Sequence, residues 1–451
     1  MNTSALDTPA PVHRVVVVGG GFAGLNLVKG LARASVEITL IDRRNFHLFQ
    51  PLLYQVATAG LSPADIAAPL RQILRRQKNV QVLLGDVVDI DVVGRRVLLA
   101  DQPPRAYDTL VIATGASHSY FGNDQWASVA PGLKTVEDAL AIRRRVLSAY
   151  EFAERATDPD QIAAWLTFVV VGGGPTGVEL AGALGEMAQY TLRRDFRHIK
   201  PESTRVLLVE GLDRILPTFP EDLSQQAQTA LTRLGVTVRT QTLVTQIDGE
   251  SVTVQDREKQ SERIPARTVI WAAGVQASPL GKCLEERASA KLDRSGRVMV
   301  QPDLSLAHHP EILVLGDLAH FAHNRERPLP GVAPVAMQQG TYAANLVRAR
   351  LAGQGAAPFA YRDRGSMATI GRAAAVVDMG RLRFGGLPAW LAWLFIHLMY
   401  LVGFANRLLV LMQWAWNYVT YNRRVRLIVG ASAPPESNAA NSAELRSAAP
   451  K

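Results

Sequence analysis

The apolar positions of this chain fall in short unbroken bursts, each closed by glycine, small residues or an acid. Arg14-Val-Val-Val-Val-Gly19 is a β-branched run ending in glycine and predicts a buried parallel strand. A helix is predicted from Phe22 to about Ala34, and Glu37-Ile-Thr-Leu-Ile-Asp42 predicts the next strand, so the chain opens on a β-α-β unit. The order returns about 150 residues later. There Leu166-Thr-Phe-Val-Val-Val-Gly172 is a strand, Thr176 to about Thr191 a helix, and Arg205-Val-Leu-Leu-Val-Glu210 a strand. The polar stretch Arg193 to Ser203 is expected to extend that helix and its turn. Leu110-Val-Ile-Ala-Thr114, Thr268-Val-Ile-Trp-Ala272 and Ile312-Leu-Val-Leu-Gly316 are further strand-like runs, each ending where a ligand could meet the carboxyl edge of a sheet.

Each repeat carries the same glycine spacing. In Gly19-Gly20-Gly21-Phe22-Ala23-Gly24 the first glycine permits a tight turn, Gly21 lets the backbone approach a pyrophosphate, and Gly24 lets the helix pack close to the sheet. The helix N-terminus offers unpaired N–H groups to the phosphates. Asp42 ends the following strand, where a carboxylate can accept ribose hydroxyls. The second copy is Gly172-Gly173-Gly174-Pro175-Thr176-Gly177, with Glu210 in the place of Asp42. An acid there favours a free 2′-hydroxyl and repels a 2′-phosphate, which argues for NADH over NADPH, although Arg214 lies nearby. Two such units imply two dinucleotides, and the glycines alone do not say which unit holds which.

Length agrees: 451 residues exceed one ordinary core and suggest two nucleotide-sized domains. The single cysteine, Cys283, reads as a packing residue and excludes both an internal disulfide and a CxxC pair. Met1 to Pro11 lacks an apolar signal core, so a reducing, cytoplasmic setting is expected. The net charge of +9 comes with no nucleic-acid-binding signature, so no nucleic acid partner is expected. Residues 381–430 hold Arg381, Arg383, Arg407, Arg423, Arg424 and Arg426 without one acid, together with Trp390, Trp393, Trp414 and Trp416. Leu387 to Asn406 is uncharged and long enough to approach a spanning helix. The tryptophans, and the polar interruptions Gln413 and Asn417 in the following segment, favour helices lying in a membrane interface instead. A buried core or dimer helix pair is the competing reading. The Ala-, Ser-, Pro- and Asn-rich end, 431–451, is expected to be disordered.

Taken with His47-Leu-Phe-Gln-Pro-Leu-Leu-Tyr-Gln-Val-Ala57, Ile270-Trp-Ala-Ala-Gly274, Leu329-Pro-Gly-Val-Ala-Pro-Val-Ala-Met-Gln-Gln-Gly340 and the aromatic C-terminus, the motifs resemble the two-dinucleotide-binding flavoproteins and, within them, the type II NADH:quinone oxidoreductases. The resemblance implies an α/β fold with two Rossmann-like dinucleotide-binding domains, for FAD and NADH, plus C-terminal amphipathic membrane-anchoring helices. It divides the chain into a first FAD segment over 11–120, an NADH domain over 121–298, a second FAD segment over 299–380, and anchoring helices over 381–430. FAD would lie on Gly19, Gly21, Gly24, Asp42, Thr114, Gly115, Gly316, Asp317 and Ala336, with the backbone of Val87 near the adenine. NADH would lie on Gly172, Gly174, Gly177, Glu210 and Gly274. Gln338, Gln339 and Tyr54 would meet a membrane quinone, and Gln55 could line its path. Pro334 stands where the family's quinone motif has glutamine, so one implied contact is absent or moved.

The implied reaction takes a hydride from NADH onto FAD and reduces the quinone by two electrons, without proton pumping. With one cysteine no thiol relay is available. Glu179 is expected to handle protons beside the quinone, and Gln338 to assist. His320, His323 and His397 read as packing histidines, and no metal set is evident. The implied setting is the cytoplasmic face of the cell membrane, with the lipid surface as a partner and a homodimer as the assembly. Two other functions remain open at this point: a soluble flavin reductase serving a small redox protein, and a non-catalytic NADH-sensing flavoprotein.

Overall fold

The computed structural model describes residues 12–402, 404–420 and 425–429. The expected disordered tail, and Arg423 and Arg424, lie outside them.

Two parallel sheets carry the repeats. In the first, Val80–Leu84, Val36–Asp42, His13–Val18, Thr109–Ile112 and His309–Val314 lie side by side in that order, all parallel, with Ser305–Leu306 antiparallel at the edge. The unit that opens the chain is thus closed by a strand from its last third. Val15 to Val18 are buried, as a strand covered on both faces requires. The second sheet runs Val236–Arg239, Arg205–Val209, Thr167–Val171, Thr268–Trp271, again all parallel. A short antiparallel pair, Ala116–His118 with Val275–Ala277, links the units.

Small residues set the helix packing. The helix Phe22–Gly30 lies against Ala333–Leu351. A Cβ at Gly340 would overlap the carbonyl oxygen of Ala23, and one at Gly30 would come within 2.6 Å of the Ala344 Cβ. Pro334 sits in the first turn of Ala333–Leu351, where a missing N–H costs nothing.

Three expectations change. First, the helix Pro175–Glu186 ends in one π-helical turn, Met187–Thr191, and does not extend through 193–203. That loop is instead gathered by Glu154, whose carboxylate accepts the backbone N–H groups of Arg197, His198 and Ile199 at 2.9–3.1 Å. Second, the segment expected to complete the first unit as far as 380 leaves it earlier. Ser366–Gly371, Ala374–Asp378 and Arg383–Gly385 form an antiparallel sheet of their own. Ser366–Gly371 packs on the helix Pro175–Glu186, so closely that a Cβ at Gly182 would overlap the Ile370 carbonyl. Third, the apolar segment 387–406 is not one helix. Gly386–Tyr400 stops at Leu401, whose backbone is extended, and Phe404–Thr420 begins afresh. The Arg407 guanidinium, through Nε at 2.7 Å, caps the Leu401 carbonyl that the break exposes. Among the described residues no helix is long and apolar enough to cross a membrane.

Candidate active site

The two glycine turns are near copies. Gly19 and Gly172 have φ of +105° and +108°, which only glycine adopts at low cost. A Cβ at Gly24 would overlap the Gly19 carbonyl, and one at Gly177 the Gly172 carbonyl. At Gly21 and Gly174, by contrast, a Cβ would meet nothing within 4 Å, so these two backbones face open space. The acids are bound alike. Asp42 accepts the N–H of Gly20 at 2.6 Å and of Arg44 at 2.7 Å. Glu210 accepts the N–H of Gly173 at 2.5 Å and of Leu212 at 2.8 Å. Burial raises the Asp42 carboxyl above its usual range, against the pull of those amides. Each carboxylate oxygen keeps a lone pair for a ribose hydroxyl.

Beside the first turn, Gly115 and Gly316 both have positive φ, and nothing stands within 4 Å of a Cβ at Gly115. The Thr114 hydroxyl is buried with no hydrogen-bond partner. An open glycine cradle beside an orphaned buried hydroxyl fits the phosphate and polyol of a flavin dinucleotide. Asp317 lies 4.0 Å from the Lys134 ammonium. Ala336, in the first turn of its helix, packs near Gly316. Val87 begins a separate antiparallel sheet, Val87–Asp91 with Arg96–Leu99, and is buried. Gly274 closes the other unit with φ +74°, under the ring of Phe121.

A cleft of about 120 Å³ opens between the second unit and the C-terminal helices. Its walls include Tyr54, Gln55, Thr58, Glu179, Thr369, Arg372, Trp390, Trp393 and Trp414. Glu179 stands one turn into the helix that the second glycine motif starts, half-buried in the wall of the cleft. Burial pushes it up to about 8, opposed only by the Thr369 N–H at 3.4 Å. The group is therefore protonated at neutral pH. His397, behind the cleft, stacks on Trp393 and bonds its carbonyl at 2.8 Å; burial pushes its ring down to about 4 and keeps it neutral.

Of the three residues expected at the quinone, only Tyr54 lines this cleft. Gln338 faces another way. Its amide donates to the Arg362 carbonyl at 2.9 Å and accepts the Arg362 N–H at 3.0 Å, a reciprocal pair that ties it to that segment. Gln339 is buried, and its carbonyl accepts the Gly316 N–H at 2.6 Å. It holds the glycine turn beside the first dinucleotide cradle. The sequence reading missed Thr369 and Arg372. Two short apolar-rich runs, 367–370 and 373–377, on either side of Gly371-Arg372 are a hairpin signal that would have brought that strand to notice.

Residues 13–340 match the family model described as Pyridine nucleotide-disulphide oxidoreductase, and the chain belongs to that class. Within the class it is a member of the type II NADH:quinone oxidoreductases. Residues 364–421, the hairpin sheet and both C-terminal helices, match the NDH2 C-terminal domain. The chain is 47% identical to the type II NADH:quinone oxidoreductase Ndh of Mycobacterium tuberculosis, over 92% of this chain and 90% of that one. It is 31% identical to the type II NADH:quinone oxidoreductase of Staphylococcus haemolyticus, over 79% and 87%. In fold it is similar to NDH2 from Plasmodium falciparum, solved in complex with NADH, with a TM-score of 0.85 at 19% identity, covering 93% of this chain and all of that one.

Proposed function

We propose that this chain oxidises NADH and reduces a membrane quinone, with FAD on the first glycine unit and NADH on the second. When bound, FAD takes up the hydride and gives electrons onward in pairs. The open backbones at Gly21 and Gly174 let the two pyrophosphates approach, and the Asp42 and Glu210 carboxylates receive the riboses. Glu210, held in place by two backbone N–H groups, repels a 2′-phosphate and so selects NADH. Quinone reduction consumes protons as well as electrons, and Glu179 holds one at neutral pH beside the cleft. The observation that carries this reading is the position of Glu179. It grows from the helix of one nucleotide turn and ends in a cavity walled by the C-terminal tryptophans. No thiol competes, since Cys283 sits 3.2 Å from the Asp89 carboxylate and burial pushes it up to about 11.

The outer faces of the two C-terminal helices are proposed to rest on lipid. Leu387, Leu391, Phe395 and Met399 recur every fourth residue and are all exposed, as are Leu408, Met412 and Trp416 on the second helix. Arg381 and Arg383 stand close by in sequence, where anionic headgroups would meet them. An enzyme that consumes NADH from the cytoplasm would lie on the cytoplasmic face, and the homodimer implied by family resemblance belongs to the same proposal. Purified protein with no other oxidant added should oxidise NADH much faster than NADPH, with steady turnover that depends on a supplied short-chain quinone. Equal rates with both nucleotides, or NADH oxidation indifferent to quinone, would defeat the reading.

A further inference from the structure

Gln55 and Trp414 lie far apart in the chain and meet in the wall of the cleft. The Trp414 indole N–H donates to the Gln55 side-chain oxygen at 2.8 Å, and the Gln55 amide nitrogen donates to the Tyr54 hydroxyl at 2.9 Å. Direction matters here. An indole N–H is a donor and nothing else, so the amide atom facing it must be the oxygen. Trp414, buried at 8% exposure and packed on Trp393 with ring centroids 5.6 Å apart, therefore fixes which way the Gln55 amide points. Its NH₂ edge carries two hydrogens. One goes to Tyr54, and among the described residues no protein atom takes the other.

We propose that this second Gln55 hydrogen is donated to a carbonyl oxygen of the quinone, and that Trp414 is the positioning residue that makes Gln55 a donor there. The inference rests on reading the cleft as the quinone site. The chemistry is selective: a quinone carbonyl can only accept, so an amide turned the other way would set oxygen against oxygen. Trp414 belongs to the helix whose opposite face exposes Leu408, Met412 and Trp416. The docking of that helix and the polarity of the cleft are thereby tied to one hydrogen bond.

The test uses the full-length, FAD-loaded protein and three variants: Trp414→Phe, Gln55→Met and the pair together. Each single change should raise KM for a short-chain quinone about tenfold, the equivalent of one lost hydrogen bond. The double variant should also stand near tenfold, because the two residues act through the same contact. NADH reduction of ferricyanide, which has no carbonyl to bind, and sedimentation with anionic lipid vesicles should match the unmodified protein. If Trp414→Phe is not recovered with flavin, Gln55→Met alone carries the test. An unchanged quinone KM, a double variant near a hundredfold, or ferricyanide rates falling in step with quinone rates would overturn the proposal. Unmodified protein that reduces ferricyanide but no quinone would instead bring down the functional reading beneath it.

Discussion

Replacing Glu179 by glutamine removes a titration while keeping the shape of the side chain. Enclosure lifts this carboxyl from 4.5 to about 8. At about 1.4 kcal/mol per pKa unit the charged form is disfavoured by up to about 5 kcal/mol, less whatever water the open side of the cleft admits. The folded pKa is raised above the unfolded value. The stabilisation is therefore complete below 4.5 and lost as pH rises through about 8. Between about pH 4.5 and pH 8 the unmodified holoprotein should lose thermal stability that Glu179→Gln keeps, with no further loss above that range. Turnover should show the same group. Quinone reduction by the unmodified protein should fall about tenfold per pH unit above the titration, while Glu179→Gln should turn over about a hundredfold more slowly with no such limb. The assays are melting curves and steady-state NADH:quinone kinetics across and above that range, with flavin content measured on each sample. If both proteins lose stability in parallel and share one pH–rate profile, the carboxyl is neither enclosed nor engaged in proton transfer.

Other changes separate the two nucleotide units. Gly24→Ala sets a methyl against the Gly19 carbonyl and should lower the flavin-to-protein ratio at least tenfold; Gly177→Ala, with the same overlap at Gly172, should retain flavin and raise KM for NADH by a similar factor. Gln339→Leu strands the Gly316 N–H and should cost about 1–3 kcal/mol in holoprotein stability, seen as a lower melting temperature and faster loss of flavin on dilution. Glu210→Gln removes the charge facing a 2′-phosphate and should shrink the kcat/KM preference for NADH over NADPH about tenfold. Leu391→Glu with Phe395→Glu changes only exposed positions, so vesicle sedimentation should fall with ferricyanide reduction unchanged. Deleting the whole C-terminus is a poorer test, because buried Ala389 and Trp393 would go with it and open the cleft.

What could be read from the chain was what local stereochemistry demands. The two glycine turns announce themselves because Gly19 and Gly172 need left-handed backbone and because Gly24 and Gly177 have no room for a side chain. Asp42 and Glu210 follow from their places at strand ends, although the run from Gly177 to Glu210 is longer than the usual spacing of about 20 residues. Where Gln338 and Gln339 point was not legible, because neighbours on a helix face in different directions, one to the Arg362 backbone and one to Gly316. The break at Leu401 was hidden by the apolar run that continues on both sides of it, although Gly403 marks the place in the sequence; its cap comes from Arg407 in the next helix. The cleft was least legible of all. Its walls join residues near 54, 179, 369 and 414, and only the folded chain brings Trp414 to Gln55.

The central claim is that one flavin is reduced by NADH and reoxidised by quinone with no relay between them. Anaerobic rapid mixing of the FAD-loaded protein with NADH alone should bleach the flavin at a rate no slower than turnover. Mixing the bleached protein with a short-chain quinone should then restore the oxidised spectrum just as quickly. A flavin that stays oxidised under NADH, or that once reduced is indifferent to quinone while turnover continues, would contradict the account.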